Sequence, residues 1–256
     1  MTPCCCVEAI APSVLYPIVG CNPNVIWRDE SPQRAREVGT LCRSNALTID
    51  DFPRKEARLE DACRLLRTLQ VHGARATFFV IESHLRALDA AEPGSVRRLL
   101  EWLNQDGHKI GVHFAGSCGC IYSSSWYDKN ASTLIYYLRS FRPSIDIVYV
   151  RPPGGCIRYA AVSTLQQRRP TPMKTVIGTV YACDIGAPGP CDLYPSAWEV
   201  ATCTRMLLSS TNGRIVILHD TPRLIETLEL LFEQLDRSPL QVEFTPLPGL
   251  FRHDLD

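Results

Sequence analysis

The chain has 256 residues, 45% hydrophobic and 21% charged, which suits one large domain with a proper core. Its 27 Lys plus Arg balance 27 Asp plus Glu, so it lacks the positive excess that drives nucleic-acid or anionic-membrane binding. No run of about 18 apolar residues occurs, which excludes an apolar membrane-spanning helix.

The N-terminal stretch does not match a secretion signal. Residues 1–6 contain no Lys or Arg, and Glu8, Pro12 and Pro17 interrupt the apolar stretch that follows. A cytoplasmic protein is the expectation. Twelve cysteines are spread along the chain without CxxC pairs, so most are expected to be small buried hydrophobes in a reducing compartment.

Residues 1–44 are rich in Pro, Cys and Asn and read as an irregular N-terminal arm, with a short helix near 32–38. Residues 45–256 read as the domain. A short apolar strand at 46–49 ends in Asp50 and Asp51. Leu59, Ala62, Leu65, Leu66 and Leu69 recur at helical spacing over 58–72, and Gly73 stops that helix. A buried strand follows at 76–81, a helix at 95–103 and a strand from Lys109. The alternation continues with a helix at 131–141, a strand at 145–150, a helix at 159–167, a strand at 174–183 and a helix at 196–209. A strand at 214–218 and a helix at 223–235 close it. Strand and helix in repeated turn predict an α/β fold with a parallel sheet.

The polar residues that interrupt this pattern stand at the C-terminal ends of the strands: Asp50, Asp51, His113, Arg151, Asp184 and His219. In β/α barrels that end of the sheet is where active sites assemble.

The stretches around these residues, taken in order, resemble the polysaccharide deacetylase superfamily (NodB homology, carbohydrate esterase family 4). The resemblance covers roughly residues 46–235. Residues 47–53, Leu-Thr-Ile-Asp-Asp-Phe-Pro, are similar to the family's T-F-D-D-G-P, with Phe52 in the place of glycine and expected to crowd the turn facing the substrate. Residues 107–117 are similar to G-H-E-I-G-x-H-[ST]-x-x-H, with Ser117 in the place of the last His. Residues 151–155, Arg-Pro-Pro-Gly-Gly, are similar to R-P-P-[YF]-G, with Gly154 in the place of the aromatic. Asp184 fits the first acid of a D-x-x-D-W stretch whose second acid and Trp read as Ala187 and Pro188. Residues 215–219 are similar to [IL]-x-L-x-H. Residues 73–80 look like the family's G-x-x-A-T-F-F-V strand.

The resemblance implies a distorted (β/α)7-type barrel, NodB-like, that hydrolyses an N-acetyl or other amide C–N bond. It implies Asp50 as general base, His219 as general acid, and Arg151 and Asp184 as their orienting partners. It implies a divalent metal, zinc first, on Asp51 and His113. Ser117 is a weak third ligand, so the metal cage is incomplete, and Cys118 or Cys120 is an alternative donor. His108 matches the family's upstream His and reads as a structural imidazole. The lost His, aromatic and Trp favour a small-molecule or amino-sugar substrate over a cell-wall polymer. Two other readings stay open: a metal-independent enzyme doing other acid–base chemistry, and a non-catalytic binding protein on the same fold.

Overall fold

The computed structural model describes residues 25–26, 43–116, 118–168, 172–178, 180–181, 184, 195–209 and 214–247. The helix expected near 32–38 lies outside them. Strands are β1 (Val25–Ile26), β2 (Arg43–Phe52), β3 (Thr77–Val80), β4 (Lys109–His113), β5 (Tyr149–Arg151), β6 (Lys174–Val176), β7 (Val180–Tyr181), β8 (Ile215–His219) and β9 (Val242–Thr245). Helices are α1 (Leu59–Val71), α2 (Glu82–Ala91), α3 (Ser95–Gln105), α4 (Ser124–Phe141), α5 (Tyr159–Gln166), α6 (Ala197–Leu208) and α7 (Leu224–Asp236).

The strands form one sheet in the order β1-β6-β5-β4-β3-β2-β8-β7, with β9 also on β2. Every pairing is parallel. The connection from β6 to β7 shows that this sheet is curled. β6 lies near one end of the order and β7 at the other, yet only residues 177–179 separate them. Such a link spans about 14 Å at most, whereas the strands between them in a flat sheet would occupy roughly 29 Å. The sheet therefore bends round into the expected distorted barrel. Gly178 allows the crossing, because a Cβ there would meet Ile217 Cγ1 at 2.2 Å.

Apolar periodicity explains the outer layer. Leu59, Ala62, Leu65, Leu66 and Leu69 of α1 are all buried against the sheet, and burying each Leu contributes roughly 1.5–3 kcal/mol. α6 begins at a capping box between Ser196 and Glu199. The main core lies between sheet and helices. A smaller cluster of Ala46, Phe79, Val148, Tyr149, Val176, Ile215 and Leu247 fills the barrel.

Some elements differ from expectation. The strand expected at 174–183 is two strands, for the topological reason just given. The strand expected at 145–150 is regular only over β5, whose pairing with β4 is confined to Val112↔Val150 and His113↔Arg151. α2 has only Leu85 and Leu88 buried, too short a stripe to announce itself. β9 is four residues with one buried side chain, Phe244.

Candidate active site

The strand ends converge as the register dictates. Asp50 is opposite His219 across the β2–β8 pair, and His113 is opposite Arg151 across β4–β5. Asp50 and His219 thus stand side by side on neighbouring strands.

Arg151 is buried and its Nη1 donates to Asp50 Oδ1 at 2.6 Å and to Thr48 Oγ1 at 2.7 Å. Its guanidinium lies over the Phe79 ring at 4.2 Å. Burial pulls the Arg151 pKa down, and the adjacent Asp50 charge opposes this. Thr48 is two residues before Asp50 on the same strand face, and its hydroxyl donates to the Val216 carbonyl at 2.6 Å. The pair holds one Asp50 oxygen and leaves Oδ2 turned toward His113 Nε2, 4.0 Å away.

His113 Nδ1 donates to the Arg151 carbonyl at 2.8 Å. In a neutral ring that leaves the Nε2 lone pair facing Asp51 Oδ1 at 3.4 Å. A second ring nitrogen held by a backbone carbonyl is the arrangement metal-bound histidines adopt. Asp51 and His113 therefore fit a divalent ion as a carboxylate oxygen and an imidazole nitrogen. Among the described residues no group of three or more His, Cys, Asp or Glu is placed to hold a metal. Ser117 lies outside the described residues. Cys120 is not an available ligand, because it is disulfide-bonded to Cys156. Cys118 is a half-buried free thiol that joins no such group.

His219 is gripped by Asp184, whose Oδ1 accepts from Nδ1 at 2.9 Å and whose Oδ2 accepts from the His219 backbone N–H at 2.5 Å. Burial lowers the His219 pKa, but the hydrogen bond and charge of Asp184, with Asp50 and Asp51 behind it, outweigh that and raise it above 6.5. Tyr181 packs edge-on against the ring.

Several contributors are not apparent from the motifs. β2 is irregular between Ile49 and Phe52, and Asp51 adopts φ 59°, a left-handed conformation that costs a non-glycine residue roughly 1–3 kcal/mol. His84, from α2, donates Nδ1–H to the carbonyls of Asp51 at 3.2 Å and Pro53 at 2.9 Å. Asp220 holds the same turn from the other side. Its backbone N–H donates to the Asp50 carbonyl at 2.9 Å, and its Oδ2 accepts from the Arg54 N–H at 2.8 Å. Burial raises the Asp220 pKa to about 6 despite Arg54. The only sequence signal for Asp220 is its place directly after His219.

Phe52 does not crowd the turn as expected. It is fully buried and packs on Phe78 with ring centroids 4.4 Å apart. Because Asp51 turns left-handed, the next side chain points into the core. Gly154 also takes a left-handed conformation, φ 59°. His108 is the structural imidazole expected: Nδ1 accepts the Ala76 N–H at 3.0 Å, and burial depresses its pKa to about 4.

A sequence model of the family described as Polysaccharide deacetylase matches residues 37–115, the stretch that carries Asp50, Asp51 and His113. Over that stretch the chain is similar to the polysaccharide deacetylases. The whole fold is shared with solved structures at low identity. A wild-type CE4 family pseudoenzyme from Bacillus anthracis is 18% identical, with a TM-score of 0.62 over 87% of this chain and 68% of that one. A mutant of that pseudoenzyme with restored enzymatic activity is 19% identical, with a TM-score of 0.62 over 87% of this chain and 70% of that one. A family 4 acetyl xylan esterase from Clostridium thermocellum, in complex with a cobalt ion, is 22% identical, with a TM-score of 0.60 over 80% of this chain and 88% of that one. The uncharacterized protein YlxY of Bacillus subtilis is 27% identical over 179 residues, 67% of this chain and 48% of that protein. The chain thus spans about half the length of this curated relative. No helix among the described residues is long and apolar enough to cross a membrane.

Proposed function

We propose that this chain is a hydrolase of an amide C–N bond, removing an acyl group from a small N-acylated substrate such as an amino sugar. The observation that carries this reading is the pairing of Asp50 with Arg151 and of His219 with Asp184, side by side in register at one end of the sheet. Asp50 Oδ2 takes a proton from water as its oxygen attacks the acyl carbon, while Arg151 keeps Oδ1 occupied and the carboxylate oriented. His219, with Nδ1 fixed on Asp184, presents Nε2–H to the departing nitrogen and gives it the proton it needs to leave as an amine. Its raised pKa favours the protonated form that this step requires. A divalent ion held by Asp51 and His113 would polarise the acyl carbonyl and acidify the attacking water. The test is release of acetate from N-acetylglucosamine and chitin oligomers by the protein supplied with zinc or cobalt. Loss of release in both Asp50→Ala and His219→Ala supports the assignment. Release unchanged in both variants overturns it.

A second reading is favoured by the ligand set: a protein of this fold that works without a metal. Among the described residues, the candidate ligands stop at Asp51 and His113. Metal analysis after equilibration with excess zinc, cobalt, nickel or manganese separates the two. Stoichiometric binding lost in Asp51→Ala supports the first; no binding of any ion supports the second.

A further inference from the structure

The loops that follow β4 and β5 rise side by side at the candidate site. At their base, the His113 ring is bonded to the Arg151 carbonyl. Farther along, Cys120 is disulfide-bonded to Cys156, with Cα atoms 5.3 Å apart and the two cysteines 36 positions apart in sequence. Gly119 presses so close to this junction that a Cβ would lie 1.9 Å from the Cys156 carbonyl oxygen and 2.3 Å from the Tyr127 hydroxyl. Tyr127 donates that hydroxyl to the Gly119 carbonyl at 3.0 Å. Arg158, just beyond Cys156, donates Nε–H to the Cys120 carbonyl at 2.6 Å. Each loop is therefore fixed at both ends, to its strand below and to its neighbour above. In the sequence, position 117, where the family's last metal-binding His would fall, stands between β4 and Cys120. Gly154 and Gly155, both left-handed, lie on the second loop.

We propose that the Cys120–Cys156 disulfide is a positioning clamp for the two loops walling the candidate site, and that the chain works where thiols are kept oxidised. Two glycines with positive φ give the second loop many open conformations. A covalent link removes much of that freedom, and the wall keeps one shape for a substrate to meet. Closing the clamp takes two electrons and two protons from the two thiols. A disulfide-bonded oxidant accepts them and becomes a pair of thiols. Such a bond persists in oxidising compartments and is reduced in a cytosol poised by glutathione and thioredoxin. This departs from the reducing interior expected from the N-terminal sequence.

The inference uses the proposed site but is tested first without activity. Non-reducing digestion of the full chain should yield one cross-linked peptide containing Cys120 and Cys156. Hydrogen exchange is then compared between wild type and the double variant Cys120→Ser/Cys156→Ser. Exchange over 114–122 and 152–158 should accelerate on the order of tenfold or more, with the strands unchanged. Mild reduction of wild type should give the same local change, and reoxidation should reverse it. Reduction also serves if the double variant does not fold. Where acetate release is measurable, KM should rise several-fold with kcat little altered, which loss of a purely structural link elsewhere would not produce. Separate peptides, unchanged loop exchange or faster exchange throughout the barrel each overturn the clamp. If neither form releases acetate, the hydrolase reading fails and the exchange result still decides the clamp.

Discussion

His84 Nδ1 shares one N–H between the carbonyls of Asp51, at 3.2 Å, and Pro53, at 2.9 Å. The ring belongs to the helix after β3 and so reaches the diacid turn from a neighbouring element. It satisfies the carbonyls on both sides of Phe52 and holds a turn in which Asp51 has φ 59°. That conformation directs the Asp51 carboxylate to His113 and sends Phe52 into the core.

Replacing His84 with Leu is expected to remove both bonds and cost about 1 kcal/mol of stability. kcat/KM for acetate release should fall by about tenfold or more as Asp51 loses its fixed geometry. His84→Asn places an amide N–H near the original Nδ1 and should recover most of both losses. Urea unfolding and initial rates measured on the two variants check this; equal defects in Leu and Asn would show that the shared N–H is not what matters.

Arg151→Met leaves the Asp50 carboxylate buried without its cation. The expected loss is roughly 3–5 kcal/mol. The double change Arg151→Met/Asp50→Leu removes the stranded charge as well and should regain much of that stability while leaving the protein inactive. A double-mutant cycle in urea reads the coupling directly.

His219 has a folded pKa raised above 6.5. The stability of its charged pair with Asp184 is fully present below pH 6.5 and is lost as pH rises through the folded value. As a general acid it must be protonated, so the alkaline limb of the rate profile should lie above pH 6.5. Asp184→Asn should move that limb to lower pH and reduce kcat by about 100-fold or more. A pH–rate profile with an unmoved limb would remove His219 from the role of acid.

Asp220 titrates in the same direction for a different reason. Its folded pKa of about 6 stands above the ordinary 3.8 because burial disfavours its charge. The native state therefore holds this proton longer than the unfolded chain. The contribution is greatest at low pH and is lost as pH rises from about 4 through about 6, up to about 3 kcal/mol in all. Asp220→Asn still accepts the Arg54 N–H and carries no charge, so it should lack this pH dependence. Urea midpoints of both proteins at pH 4.5 and pH 7 test the difference.

Much of the fold was legible in the chain. Leu59, Ala62, Leu65, Leu66 and Leu69 mark α1 by their spacing, and all of them are buried. α2 was not legible, because its two buried leucines form no stripe longer than a turn. The division of 174–183 into β6 and β7 was equally hidden, since the residues on both sides of Gly178 suit a strand and only sheet curvature lets them join strands near opposite ends of the order.

By itself, the sequence determined the alternation of strand and helix and the polar residues that end the strands. Both are local patterns: a buried strand is an apolar run, and a side chain that must face a site interrupts it. Only the tertiary structure decided which of these residues meet. Asp50 and Arg151 are 101 residues apart, His219 and Asp184 are 35, and Cys120 and Cys156 are 36. Their meeting depends on strand register and sheet curvature, which no short stretch of sequence contains. The same holds for Asp51: its left-handed turn depends on His84 and Asp220 arriving from other elements to satisfy the backbone around it.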